Sequence, residues 1–191
     1  MLHLLDESLE TFLRVTVPLP QRDIDIVFEA PDGEWAASIS RPTVNLYLWD
    51  VRPNTQERAY GADLIEGEDG RRFRRDPLPR MDCRYLVTAW TREVRDEHSL
   101  LGDVLAALLL NPMIEAEHLQ GAFAEVRPVP SVRLRSAEGN ENFDFWSALG
   151  SQLKPGLDVV VTATVDAAVM AAVAPPVQEL ELHARRHAPH G

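Results

Sequence analysis

The sequence predicts an α+β domain in which helices flank a mixed or mainly antiparallel sheet of about five or six strands. Two observations carry this prediction. Apolar residues recur at intervals of three and four in some segments and at every second position in others, and the two patterns are interspersed along the chain. The chain also shows no self-similarity at a fixed period, which argues against a solenoid or a propeller.

The first segment predicts an amphipathic helix. Its apolar residues lie three and four positions apart, which places them on one side of a helix while Asp6, Glu7 and Glu10 face water. The helix should end before Pro18, whose ring and missing N–H stop helical hydrogen bonding. The apolar side consists of Leu2, Leu5, Leu9, Phe12 and Leu13.

Two strands are predicted next. Asp23–Phe28 alternates, and Pro31–Gly33 then supplies a turn. Thr43–Trp49 also alternates, but its second face carries an asparagine and aromatic residues in place of charges, so both faces of this strand should be covered.

A hairpin and a central strand follow. Glu68-Asp69-Gly70 is a turn signature between polar segments and predicts a hairpin over Tyr60–Arg75. Cys83–Thr91 is rich in β-branched and aromatic residues, which is typical of a strand in the middle of a sheet.

The second half of the chain continues the same alternation of helices and strands. Helices are predicted over Ser99–Leu110 with Asp96 as N-cap, from Asn111-Pro112 to about His118, and over Phe143–Leu149 with Asn142 as N-cap. Strands are predicted over Phe123–Arg127, Val132–Arg135 and Leu157–Val165. Beyond about Met170 the Ala, Pro and His content rises, so we expect a domain over residues 1–170 and a disordered tail over residues 171–191.

The composition indicates which partners to exclude and which cellular compartment to expect. The 191 residues include 19 Lys and Arg against 30 Asp and Glu, and the formal charge of −11 repels nucleic-acid phosphates and anionic lipids. No stretch reaches about 18 consecutive apolar residues, so membrane insertion is not expected. The start of the chain lacks the features of a signal peptide and Cys83 is the only cysteine, which together favour a cytoplasmic protein without disulfides.

Known catalytic patterns are missing from the sequence. The ten glycines do not have the spacing of a nucleophile elbow, a phosphate-binding loop or a dinucleotide-binding turn. His98 close to Asp96 has the residue types of a general base with its orienting carboxylate, but carboxylates at a helix start explain the same residues. Cys83 is expected to be a buried structural thiol. We therefore expect no enzyme activity and no cofactor.

Two features leave alternatives open. The histidines of the tail, His183, His187 and His190, have the spacing of metal ligands on a helix, although a solvated tail explains them as well. Aromatic residues on both faces of candidate strands exceed what one small core requires, which indicates further burial by assembly. These residues are Tyr47, Trp49, Tyr85, Trp90 and Trp146.

Several segments together resemble a known protein family. The segments are Val44–Val51 with Arg52-Pro53-Asn54 and Arg58, then Leu78-Pro79, Cys83–Trp90, Glu97–Gly102, Phe145–Leu149 and Lys154–Leu157 running into Val161-Thr162. In order and spacing, over about residues 2–166, they resemble the tail-terminator proteins of contractile, phage-tail-like injection systems. Trp49 stands where the family often has Tyr, and the Ala-rich tail has no clear counterpart.

The resemblance implies a small structural domain that forms a six-fold ring on the end of the inner tube and the sheath, where it stops tube growth and anchors the sheath. The expected partners are further copies of the chain and the sheath and tube subunits. The candidate contacts are Trp49, Arg52, Asn54, Arg58, Arg72, Arg74 and Arg75. Two alternatives are an assembly adaptor or chaperone that leaves the particle, and a hydrolase that uses Asp96 and His98.

Overall fold

The chain forms two compact units in the computed structural model, which describes residues 1–19, 23–57, 63–66, 72–135, 146–150, 153–166 and 170–172. The first unit comprises Met1–Ala59 and Leu78–Ala167, and the second comprises Tyr60–Pro77 and Ala168–Gly191. This division into units differs from the domain boundary expected at residue 170. The expected boundary stays a prediction. Residues 173–191, the greater part of the expected tail, lie outside the described residues.

The described residues contain three α-helices with defined ends, a further helical stretch at residues 146–149, eight strands and two short 3₁₀ helices. The α-helices are α1 (Leu2–Thr16), α2 (Gly33–Ser38) and α3 (Val94–Leu110). The strands are β1 (Asp25–Val27), β2 (Thr43–Pro53), β3 (Asp63–Glu66), β4 (Arg72–Arg75), β5 (Arg80–Trp90), β6 (Ser131–Leu134), β7 (Gly156–Thr164) and β8 (Met170–Ala172). The 3₁₀ helices span Ala116–His118 and Gly121–Ala124.

A five-stranded sheet with the order β1-β2-β5-β7-β6 is the centre of the first unit. β1 runs parallel to β2, and every other neighbouring pair is antiparallel. The sheet is therefore mixed and mainly antiparallel, and the predicted α+β class is confirmed. β5 lies in the middle of the strand order, as predicted for Cys83–Thr91.

Helices α1 and α3 cover one face of this sheet with the apolar sides that the sequence indicates. Leu5, Leu9, Phe12 and Leu13 of α1 are at most 1% exposed, and they pack into the same core as the apolar residues of β2, β5 and β7. α1 ends at Thr16, and Val17 is extended ahead of Pro18 as predicted. α3 buries Leu100, Val104, Ala107 and Leu108.

The start of α3 and the turn after β1 differ from prediction. Glu93 occupies the N-cap position of α3, so Asp96 lies in the first turn of the helix and does not cap it. The predicted turn at Pro31–Gly33 begins helix α2, because the Asp32 carboxylate accepts a hydrogen bond from the Trp35 N–H at 2.8 Å. Six residues are too few for a helical period to stand out in a sequence.

Two predictions in the second half are wrong. Asn111 ends α3 and does not start a new helix, because its side-chain amide donates to the Ala107 carbonyl at 2.8 Å. Phe123–Arg127 is not a strand, since Gly121–Ala124 is a 3₁₀ helix that places Phe123, 2% exposed, in the core. A short apolar run without a neighbouring strand does not distinguish the two structures.

The remaining predicted elements are present wherever the structure describes their residues. β6 and β7 correspond to the strands predicted at Val132–Arg135 and Leu157–Val165. Residues 146–149 are helical, whereas Asn142 and the predicted start of that helix lie outside the described residues. In the second unit β3 pairs with β4 as the predicted hairpin, and β8 extends the pair to a three-stranded sheet. The turn at Glu68–Gly70 lies outside the described residues.

A buried hydrogen bond joins α1 to β5. The Tyr85 hydroxyl, in a residue that is 0% exposed, donates to the Asp6 carboxylate at 2.8 Å. Burial raises the pKa of Asp6, and burial together with the Asp6 charge raises the pKa of Tyr85. Cys83 is buried, as expected, and burial raises the pKa of its thiol to about 12.

Two glycines provide a matched test of the packing. Gly121 has φ +54°, and a Cβ there would lie 2.8 Å from Leu4 Cδ1, whereas a Cβ on Gly102 in α3 would meet nothing within 4 Å. Gly121→Ala should therefore destabilise the fold by about 1–3 kcal/mol through backbone strain. Gly102→Ala should stabilise it by roughly 0.5–1 kcal/mol, because alanine loses less entropy in a helix.

Urea unfolding of both variants beside the wild type, followed by circular dichroism, measures the two effects. Equal effects of the same sign would contradict the described backbone at Gly121.

Candidate assembly interface

The second face of the five-stranded sheet is charged at one end and aromatic at the other. Successive side chains of a strand point to opposite faces. In β5 the residues Met81, Cys83 and Tyr85 belong to the core, so Arg80, Asp82 and Arg84 lie on the other face. We call the part of this face around these three charged residues the polar face.

Arg84 lies at the centre of the polar face and is buried, with a side chain only 9% exposed. One terminal nitrogen donates to the Asp158 carboxylate of β7 at 2.6 Å, and the other lies 3.9 Å from an Asp50 oxygen of β2. Its guanidinium carbon is 4.0 Å from the centroid of the Trp49 ring. A planar cation thus meets carboxylates from both neighbouring strands and an aromatic face, a combination suited to arginine.

Trp49 reaches this position through a bulge in β2. The pairing of β2 with β5 shifts register between Leu48 and Asp50, which leaves Trp49 as the extra residue. The bulge places Asp50 opposite Arg84 and Arg52 opposite Asp82, so that opposite charges face one another across the two strands.

Asp82 is the centre of a second cluster on the polar face. Its carboxylate accepts hydrogen bonds from Arg133 of β6 at 2.9 Å, from the Asn54 amide at 2.9 Å and from the Thr162 hydroxyl of β7 at 2.6 Å. The side-chain oxygen of Asn54 also accepts hydrogen bonds from the backbone N–H groups of Gln56 and Glu57, at 3.0 and 2.8 Å. Asn54, 8% exposed, therefore shapes the loop after β2.

A groove with a volume of about 560 Å³ opens over these residues. The side chains of Arg52 and Arg133 are 71% and 49% exposed, and Arg135 is exposed as well. We call this cavity the basic groove. Its charged and amide-bearing lining consists of Arg52, Asn54, Gln56, Asp82, Arg84, Arg133 and Arg135.

The aromatic end of the same face is largely a second core. Trp90 and Trp146 are 8% and 3% exposed, and Trp35 meets Trp90 edge-on with ring centroids 5.2 Å apart. The Lys154 ammonium lies 4.1 Å from the centroid of the Trp90 ring and is paired with Glu97. Burial within the chain thus accounts for Tyr85, Trp90 and Trp146, whereas Tyr47 and Trp49, the other two singled-out aromatic residues, are partly buried.

The predicted contact residues are divided between the two units. Trp49, Arg52 and Asn54 lie on the polar face or beside it in the first unit. Arg72 and Arg74 are exposed on β4 in the second unit, where Arg74 pairs with Asp76 at 3.0 Å. Arg75 belongs to the same strand and its side chain lies outside the described part, as does the whole of Arg58. Their role in assembly stays a prediction.

Sequence reasoning missed most of the polar face. Arg80, Asp82 and Arg84 alternate with apolar residues in β5, and this spacing is the signal that could have found them. Arg133 and Asp158 lie on β6 and β7, whose pairing partners are set by the fold, and the sequences of these strands carry no comparable pattern.

The candidate catalytic and metal-binding residues are not assembled in the part of the chain that is described. His98 and Asp96 are both exposed, and the adjacent Glu97 is engaged by Lys154 and by the Thr91 N–H. No group of three or more His, Cys, Asp or Glu able to hold a metal occurs among the described residues. His183, His187 and His190 lie outside them. None of the described helices is both long enough and apolar enough to span a bilayer.

Comparison with known proteins identifies relatives of the chain. The family model of the Pvc16 N-terminal domain matches residues 4–179. The PVC sheath/tube terminator of an extracellular contractile injection system, in its extended state, superimposes with a TM-score of 0.69 at 22% identity over 98% of this chain. The tube-terminating cap of the anti-feeding prophage gives 0.63 at 19% identity over 94%.

These similarities cover only part of the relatives. The chain spans 64% of the PVC terminator and 60% of the prophage cap. No curated protein matches its sequence.

The buried ion pair of the polar face has a direct test. Arg84→Met should destabilise the fold by about 3–5 kcal/mol, because it leaves Asp158, with a side chain 13% exposed, without its cation. Arg52→Met, at a side chain 71% exposed, should cost less than about 1 kcal/mol and is the matched control.

Chemical unfolding of the two variants gives the comparison. Wild-type stability for Arg84→Met would show that the Arg84 pair does not hold β5 to β7.

Proposed function

Because the chain belongs to the Pvc16 N-terminal domain family, we propose that it is a structural subunit that terminates the tube and the sheath of a contractile injection system. The observation that carries the proposal is the match of 98% of the chain to a sheath/tube terminator with a TM-score of 0.69. The prophage cap with the same fold supports the same role.

We further propose that copies of the chain close into a ring of about six on the end of the particle. In this position the ring stops addition of tube subunits and holds the last sheath subunits. A head-to-tail ring requires two different surfaces on each subunit that fit one another. The exposed guanidinium groups of the basic groove, on a chain with a formal charge of −11, supply one surface of distinct character.

The proposed role is structural and requires no reaction. The polar face supports this role, because its buried groups bind one another: Arg84 pairs with Asp158, and Asp82 pairs with Arg133. Charges arranged in this way fix the geometry of a surface. Assembly would take place in the cytoplasm, with tube and sheath subunits as the partners.

Removal of the chain from cells that build the particle tests the proposal. We expect tubes of uncontrolled length and sheaths that do not stay attached, because nothing ends tube growth. Electron microscopy of purified particles measures both, and expression of the wild-type chain in the same cells should restore a uniform length. A tagged copy should be found at one end of each particle.

The outcomes separate the alternatives. Uniform particles that lack the protein would contradict a terminator. A clear defect on deletion, with the protein missing from purified wild-type particles, would identify an assembly adaptor or chaperone instead.

A further inference from the structure

The first unit carries a second cleft of opposite charge at the other end of its central strands. β2 and β5 run antiparallel over their whole length. The basic groove lies where β2 ends at Pro53, and the second cleft lies where β5 ends at Trp90. A strand rises roughly 3.3 Å per residue, so the two ends of the eleven-residue strand β2 lie about 35 Å apart.

We call the second site the acidic cleft. It has a volume of about 760 Å³ and lies between the strand ends and the start of α3. Four carboxylates and two guanidinium groups line it, which leaves a formal charge of −2. One of these cations, Arg41, is already paired with Asp25 at 3.0 Å. The charged residues are Asp23, Glu93, Asp96 and Asp103 with Arg41 and Arg92.

The basic groove has the opposite balance. Four guanidinium groups and one carboxylate line it, for a formal charge of +3. Three of these guanidinium groups are paired with carboxylates: Arg133 with Asp82 and Glu57, Arg84 with Asp158, and Arg52 with Asp50. Arg135 is exposed and forms no ion pair with a carboxylate among the described residues. Positive lining is unusual for a chain whose total formal charge is −11.

We propose that the acidic cleft of one copy of this chain binds the basic groove of the next copy. The proposal rests on the ring described above and names the two surfaces that meet in it. Two copies that each carry −11 repel one another at long range, and a contact between opposite local charges offsets that repulsion and fixes the orientation of approach. Because the two sites lie at opposite ends of the strands, the contact is head-to-tail and can continue from copy to copy until the ring closes.

Exposed side chains at both sites allow charge reversal without disturbing the core. The groove variant carries Arg52→Glu and Arg135→Glu, and the cleft variant carries Asp96→Arg and Asp103→Arg. All four residues are exposed. A control variant reverses two exposed carboxylates that line neither site, Glu7→Arg and Glu125→Arg. Circular dichroism verifies that each variant is folded.

Each reversed variant alone should lose association by about tenfold or more per reversed charge, because like charges then face one another. An equal mixture of the two variants should assemble again, since every contact in an alternating ring joins opposite charges. The control variant should assemble as the wild type does. Sedimentation of the purified chains and the amount of each chain on purified particles are the two measurements.

Assembly of both variants at wild-type level would overturn the proposal. So would loss of assembly without recovery in the mixture, which would assign the groove to a tube or sheath subunit. Neither result affects the terminator role as long as the wild-type chain is found on particle ends. Absence of the wild-type chain from particles and from oligomers would instead remove the terminator role and this inference together.

Discussion

The alternation of side chains along β5 is the constraint on which the first unit depends. One set of residues, including Cys83 and Tyr85, forms the core with α1 and α3, while the other set, including Asp82 and Arg84, forms the polar face. A slip of one residue would bring charges into the core and apolar groups to the polar face. The bonds of Tyr85 to Asp6 and of Arg84 to Asp158 form in one register only, so the first fixes β5 against α1 and the second fixes β5 against β7.

The polar face explains how a small sheet can present charge in a defined geometry. A buried ion pair contributes little net stability, but removal of one member is costly, and the arrangement therefore favours a single structure. Here the buried members, Arg84 and Asp158, hold β5 to β7, while Arg52 and Arg133 beside them remain exposed. Fixed positions for exposed guanidinium groups are what a docking surface requires, because less side-chain entropy is lost when a partner binds.

The parts of the fold that could be predicted from the sequence are those with long or strongly biased patterns. The five apolar residues of α1 and the mixture of β-branched and aromatic residues in β5 each specify one structure on their own. The predictions at Asn111 and Phe123 are wrong, because a few residues fit a helix or a strand equally well and packing against the core determines which one forms. The candidate site was only half predictable. Arg52 and Trp49 lie in a segment that the sequence makes recognisable. The contact of Asp82 with Arg133 joins residues 51 positions apart, and only the fold brings them together.

We propose that the fold fixes a charged face and that a ring of copies uses this face to end a tube and a sheath. An electron cryomicroscopy map of a particle end tests it most directly. We expect copies of this chain around the axis at one end, each with the exposed guanidinium groups of Arg52 and Arg135 against the Asp96 and Asp103 end of its neighbour. A map with the chain absent from both ends, or with these arginines turned to solvent in every copy, would contradict it.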